Sequence, residues 1–130
     1  MALIAADTTF LIDLSREIGR RSGPVHDFLR EYAADQFAVP LIVLGEFAAG
    51  FADISDPLYM SVKSKFRLLA MDERVADSYR EIFRFLKPRG LLIGANDMWI
   101  AASSIRNGAS LATRNATDFR RIPGLKVLSY

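Results

Sequence analysis

The residues able to do chemistry in this 130-residue chain are mostly acids. It has no cysteine, which excludes disulfides, thiolate zinc sites, iron–sulfur clusters and a cysteine nucleophile. One histidine, His26, excludes a two-histidine acid–base pair and any histidine-rich metal site. A site must then be built mainly from carboxylates, hydroxyls, amides and basic side chains. Clustered carboxylates select hard cations such as Mg²⁺ or Mn²⁺.

Four acids stand out by position. Asp7 interrupts an otherwise apolar opening, MALIAADTTFLID, at the end of a predicted strand. It could be a helix N-cap, although Thr8 or Thr9 could fill that role instead. Glu46, in PLIVLGEFAAG, has Ile42, Val43, Ala49 and Gly50 one turn away and no basic residue nearby, which predicts a buried carboxylate. Such a group ends up paired, protonated or on a metal. Asp97 opens an apolar helix, where it or Asn96 could equally be a cap; Ala101 and Ser104 share its face and leave room for a ligand. Asp118 follows Asn115 by three residues, a spacing that resembles a capping box. The remaining acids read as structural: Asp13 shares a helix with Arg16, and Asp72 is a helix cap. His26 reads as a surface or rim residue.

These acids need elements to hold them. Half the residues are hydrophobic and a quarter charged, and no linker or repeat divides the chain, which predicts one folded domain over residues 1–130. The apolar runs are too short to span a membrane, and no leader pattern opens the chain, so a cytoplasmic location is expected. The net charge of +2 is compatible with a polyanionic partner without identifying one.

Strand-like runs (ALIAAD, FAV, RLLAM, SLAT, LKVLSY) alternate with helical spacing, as in TTFLIDLSREIG, VHDFLREYAADQ and ERVADSYREIFRFLKPRG. Pro40 fits the first position of a helix running through LIVLGEFAAGFADI, and Asp56 or Ser55 could cap PLYMSVKSKF. ANDMWIAASSIRNG reads as a further helix with an Asn-Gly stop. The alternation predicts an α/β fold: a three-layer α/β/α sandwich around a mainly parallel sheet. Ligands of such sheets gather at the carboxyl ends of the strands, where Asp7 falls.

Taken together, AADTTFLIDL, VLGEFAAG, LLIGANDMWIAASSIRNGASLATRNATDF and the tail IPGLKVLSY resemble the PIN domain family, in particular its VapC-like toxins. The resemblance covers almost the whole chain. It implies a Mg²⁺-dependent endoribonuclease, with Mn²⁺ as a substitute, whose metal-binding and catalytic acids fall on Asp7, Glu46, Asp97 and Asp118. Asn115 stands where some relatives carry the fourth acid, and Thr8 and Thr113 match small hydroxyl residues beside the site. The expected products carry a 3′-hydroxyl and a 5′-phosphate. Arg114 is the foremost RNA contact, with Arg16, Arg20, Arg21, Arg120 and Arg121 as further phosphate contacts. The resemblance also implies a homodimer and a cognate antitoxin, with PLYMSVKSKF as a candidate surface for either.

Alternatives remain open at this level. A strand ending in Asp-Thr also suits the aspartyl nucleophile of a haloacid-dehalogenase-type phosphatase, although Thr9 stands where that family places its second Asp. Asp7 could be a phospho-acceptor, with Lys126 as the only late lysine. A non-catalytic PIN-type module that binds RNA or a protein partner is the non-enzymatic alternative.

Overall fold

In the computed structural model, which describes residues 1–130, five strands form one sheet, and every neighbouring pair is parallel. The strands are β1 (Leu3–Ala6), β2 (Gln36–Pro40), β3 (Arg67–Leu69), β4 (Ser110–Thr113) and β5 (Val127–Ser129). Their order across the sheet is β3-β2-β1-β4-β5. The expected mainly parallel sheet is therefore wholly parallel. Ile4, Ala5 and Ala6 of the central strand are fully covered, as a strand with helices on both faces requires.

The helices are α1 (Thr8–Glu17), α2 (Pro24–Glu31), α3 (Leu41–Ala48), α4 (Pro57–Lys65), α5 (Glu73–Leu86), α6 (Ala95–Arg106) and the single turn α7 (Ala116–Phe119). Each has a legible local cause. Asp72 caps α5 by accepting from the backbone N–H groups of Arg74 and Val75, and Asp56 caps α4 by accepting from Leu58 N–H. Val75, Ile82 and Leu86 put one face of α5 into the core, and Tyr79 stacks on Trp99 of α6. A 3-10 turn at Lys87–Arg89 then stops the helix, with Gly90 at φ 66° in the left-handed region where a side chain would be strained.

Three local expectations fail. Pro40 is not the first helical residue: it ends β2 and stands as the N-cap of α3. The helix that follows stops at Ala48 instead of continuing to Ile54. Ser55 does not cap α4, because its N–H and hydroxyl both bond Asp53. No helix is long and apolar enough to cross a membrane.

One feature of the topology locates the site. From β1 the chain passes to β2 on one side, while β4 pairs with β1 on the other. The order in which the chain adds strands reverses between β1 and β4, and the crevice beyond the strand ends at such a switch point is where open parallel sheets bind ligands. Asp7 leaves β1 at this point, and Thr113 ends β4 beside it.

Candidate active site

Asp7 is only 4% exposed, and it is the N-cap of α1: Oδ1 accepts from Phe10 N–H at 2.8 Å. Capping by Thr8 or Thr9 is thus corrected. Asp7 has β-region backbone at the strand end, and the geometry of the turn gives it the first orphan amide. Burial pushes its carboxyl above the ordinary value. Hydrogen bonds from the Thr113 side chain and Phe10 N–H oppose this, while the charges of Asp97 and Asp13 add to it.

Glu46 is exposed, which corrects the expectation of burial. Val43 is buried, but Ala49 and Gly50 are open because α3 ends so early, leaving Glu46 on the rim of the crevice. It is nonetheless held. Thr8 Oγ1 donates to Oε1 at 2.9 Å, and Asn96 Nδ2 donates to Oε2 at 3.3 Å.

Asp97 is the hub. The N-cap of α6 is Gly94 and carries no side-chain capping bond, so neither Asn96 nor Asp97 is spent on the helix end. The Asp97 carboxyl is raised, first by burial and then by the charges of Asp118 and Glu46; its own charge in turn raises Asp7. Asp118 is half-buried, with Asn115 Nδ2 donating to Oδ2 at 3.1 Å and an Arg121 guanidinium nitrogen 3.5 Å from Oδ1. Asn115 makes no capping bond to α7, so the apparent capping box is a side-chain pair instead.

Asp97 thus lies near enough to Asp7, at the end of β1, to Glu46 of α3 and to Asp118 of α7 for their charges to act between them. No three His, Asp or Glu side chains stand close enough to hold a metal ion between them. The donor set, carboxylate oxygens without nitrogen or sulfur, has the chemistry of a hard divalent cation site. Such a cation would offset the repulsion at Asp97, whose carboxyl the charges of Asp118 and Glu46 push up.

Two acids that drew no attention as buried groups lie further along α1. Asp13 is 9% exposed and accepts from the Tyr130 hydroxyl at 2.8 Å, with Arg114 at 3.5 Å. Glu17 is 3% exposed and accepts from Val25 N–H, His26 N–H and the His26 ring. Helical spacing could have found both. Asp13 falls three residues after Phe10, and Glu17 three after Leu14, on the stripe that enters the core.

Similarity to known proteins follows the same outline. Residues 4–125 match the PIN domain family. Ribonuclease VapC1 of Methanocaldococcus jannaschii is 31% identical over 127 residues, 95% of this chain and 85% of that protein. Ribonuclease VapC1 of Rickettsia felis is 43% identical over 68 residues, 52% of this chain and 51% of that protein. Among solved structures, VapBC2 from Rickettsia felis bound to a promoter DNA fragment superposes with a TM-score of 0.81 at 25% identity, covering 98% of each chain. FitAB bound to a DNA fragment superposes at 0.79 and 24% identity, over 97% of this chain and 94% of that one, which speaks to the fold alone.

Proposed function

The chain belongs to the PIN domain family, and from that premise we propose that it is a metal-dependent endoribonuclease, the toxin of a toxin–antitoxin pair. The observation that carries this reading is the electrostatic coupling of Asp97 to Asp7, Glu46 and Asp118 at the sheet's switch point. The relatives' names as ribonucleases, and the solved complexes of similar toxins with their antitoxins, support it.

Asp7, Glu46, Asp97 and Asp118 would hold a divalent ion, Mg²⁺ or Mn²⁺. When bound, it supplies charge neutralisation at phosphate and a lower pKa for water. The chain's own side chains do the rest. Thr113 and the α1 backbone fix Asp7, Thr8 and Asn96 orient Glu46, and Asn115 orients Asp118. Water would enter in line with the scissile P–O bond, oriented by carboxylate oxygens of Asp7 and Asp97, and would lose its proton to solvent. The bond to the 3′-oxygen would break, that oxygen taking up a proton from solvent, to leave a 3′-hydroxyl and a 5′-phosphate. Arg114 contacts the RNA backbone.

A cognate antitoxin would cover the crevice, and the toxin would act in the cytoplasm, one domain per protomer of a homodimer. Of PLYMSVKSKF, Tyr59 and Val62 belong to the core, so a partner would meet Met60, which is 50% exposed. The test is incubation of purified, antitoxin-free protein with a structured RNA. Cleavage with Mg²⁺ and none in EDTA is expected; cutting that persists in EDTA, or no cutting with either ion, overturns the reading.

A further inference from the structure

A notch of about 260 Å³ lies beside the acidic crevice, and three of its lining side chains are Arg16, Arg20 and Arg114. Its floor holds Asp13, Glu17 and Tyr130. Three guanidiniums against two carboxylates leave the notch net positive, directly next to a crevice of four acids.

The floor acids do not cancel the arginines. Glu17 turns inward, its carboxylate occupied by two α2 backbone amides and the His26 ring. Asp13 takes the Tyr130 hydroxyl at 2.8 Å and reaches its arginines only loosely, Arg114 at 3.5 Å and Arg16 at 3.8 Å. Each guanidinium carries five N–H donors, so most remain available. The Arg114 and Arg16 side chains are 58% and 70% exposed, and Arg20 is exposed as well. Exposed, loosely tethered guanidiniums converging on a pocket suit phosphate, which they meet bidentately.

Continuity with the crevice narrows the ligand further. Arg114 directly follows Thr113, whose side chain bonds Asp7, and Asp13 is close enough to Asp7 to raise its carboxyl. A strand with one phosphodiester at Asp7 would therefore bring a neighbouring one toward Arg114. The other arginines are placed differently: Arg121 is drawn to Asp118 and donates to the Leu91 carbonyl, while Arg21 and Arg120 do not line the notch.

We propose that this notch seats an RNA backbone phosphate next to the bond that is cut, with Arg16, Arg20 and Arg114 as its ligands. The identity of the ligand as RNA rests on the ribonuclease reading; the anion chemistry does not.

The experiment titrates a labelled single-stranded RNA dodecamer, and separately a nucleoside 5′-monophosphate, against wild type, Arg16→Ala/Arg20→Ala and a control, Arg80→Ala/Arg84→Ala, of equal charge on the exposed side of α5. The notch variant is expected to lose about tenfold or more in RNA affinity, and its salt slope to flatten by about 1.4, two phosphate contacts' worth. The control should stay within about twofold of wild type, because net charge alone is a weak long-range effect at physiological salt. Equal losses in both variants, an unchanged slope, or a loss confined to the monophosphate overturns the notch as a backbone subsite. Arginine-dependent RNA binding without any cleavage leaves the notch standing and removes only the nuclease reading. Cleavage with arginine-independent binding does the reverse.

Discussion

Acids stand at both ends of the first helix, and their surroundings differ in kind. At the strand ends, burial pushes Asp7 and Asp97 above ordinary carboxylate values; the charge of Asp97 adds to this at Asp7, and those of Asp118 and Glu46 add to it at Asp97. About three turns along α1, Glu17 is more deeply covered than Asp97, and burial again acts to raise it. Its bonds from His26 and Val25 outweigh that, and its carboxyl ends below the ordinary range. Burial is common to both regions; the supply of donors is not. A buried acid whose donors outweigh its burial holds a fold together, whereas acids raised by burial and by neighbouring charge favour binding a proton or a cation.

Glu17 shows how completely the first kind is built in. Its carboxylate caps α2, a helix whose own N-cap, Gly23, has no side chain to offer. Gly23 has φ 137°, and a Cβ there would collide with the Glu17 carboxyl, so the glycine serves both the turn and the close approach.

The comparison can be broken at several points, the largest effect first. Asp7→Asn keeps the cap, since Asn accepts at an N-cap about as well as Asp, but removes the charge. RNA cleavage should fall by at least about 10³-fold, about 4 kcal/mol in the barrier, with an unchanged circular dichroism spectrum. Retained cleavage would move the chemistry elsewhere.

Glu17→Ala should do the opposite. It leaves two amides at the start of α2 without their acceptor, and denaturant unfolding should show a loss of about 2–3 kcal/mol. A loss no larger than that of an exposed substitution would mean that Glu17 does not hold α2.

The smallest effect separates the two regions by pH. Glu17 is depressed, so its stabilisation is present above its unfolded value of 4.5 and is lost as pH falls through its lower folded value. Asp7 and Asp97 are raised, so they cost nothing at low pH, and their penalty grows as pH climbs from 3.8 through their folded values. In metal-free unfolding against pH, Glu17→Gln should flatten the acid limb, while Asp97→Asn should lift stability toward neutral pH. The same change in both variants would erase the distinction.

Much of this was legible in the residues. Strand and helix patterns alternate strongly enough to set the fold class, and the four acids fall where a parallel sheet gathers ligands. The exposure of Glu46 is not legible locally, because its apolar neighbours one turn away cover it only on a helix that runs on to Ile54. The helix ends at Ala48, so half of those neighbours never cover it. Asp7 was underrated as a cap because Thr8 and Thr9 compete on propensity, and only backbone geometry decides which oxygen meets Phe10 N–H. Tyr130 and Asp13, 117 residues apart, are joined by β5 closing the sheet beside β4, a contact that local pattern does not contain.

The central claim is that Asp97 couples the acids into one functional centre. Its most direct test is Mg²⁺-dependent RNA cleavage by Asp97→Asn under single-turnover conditions. The predicted result is a loss of at least about 10³-fold in rate. Cleavage within about threefold of wild type, less than 1 kcal/mol in the barrier, would contradict it.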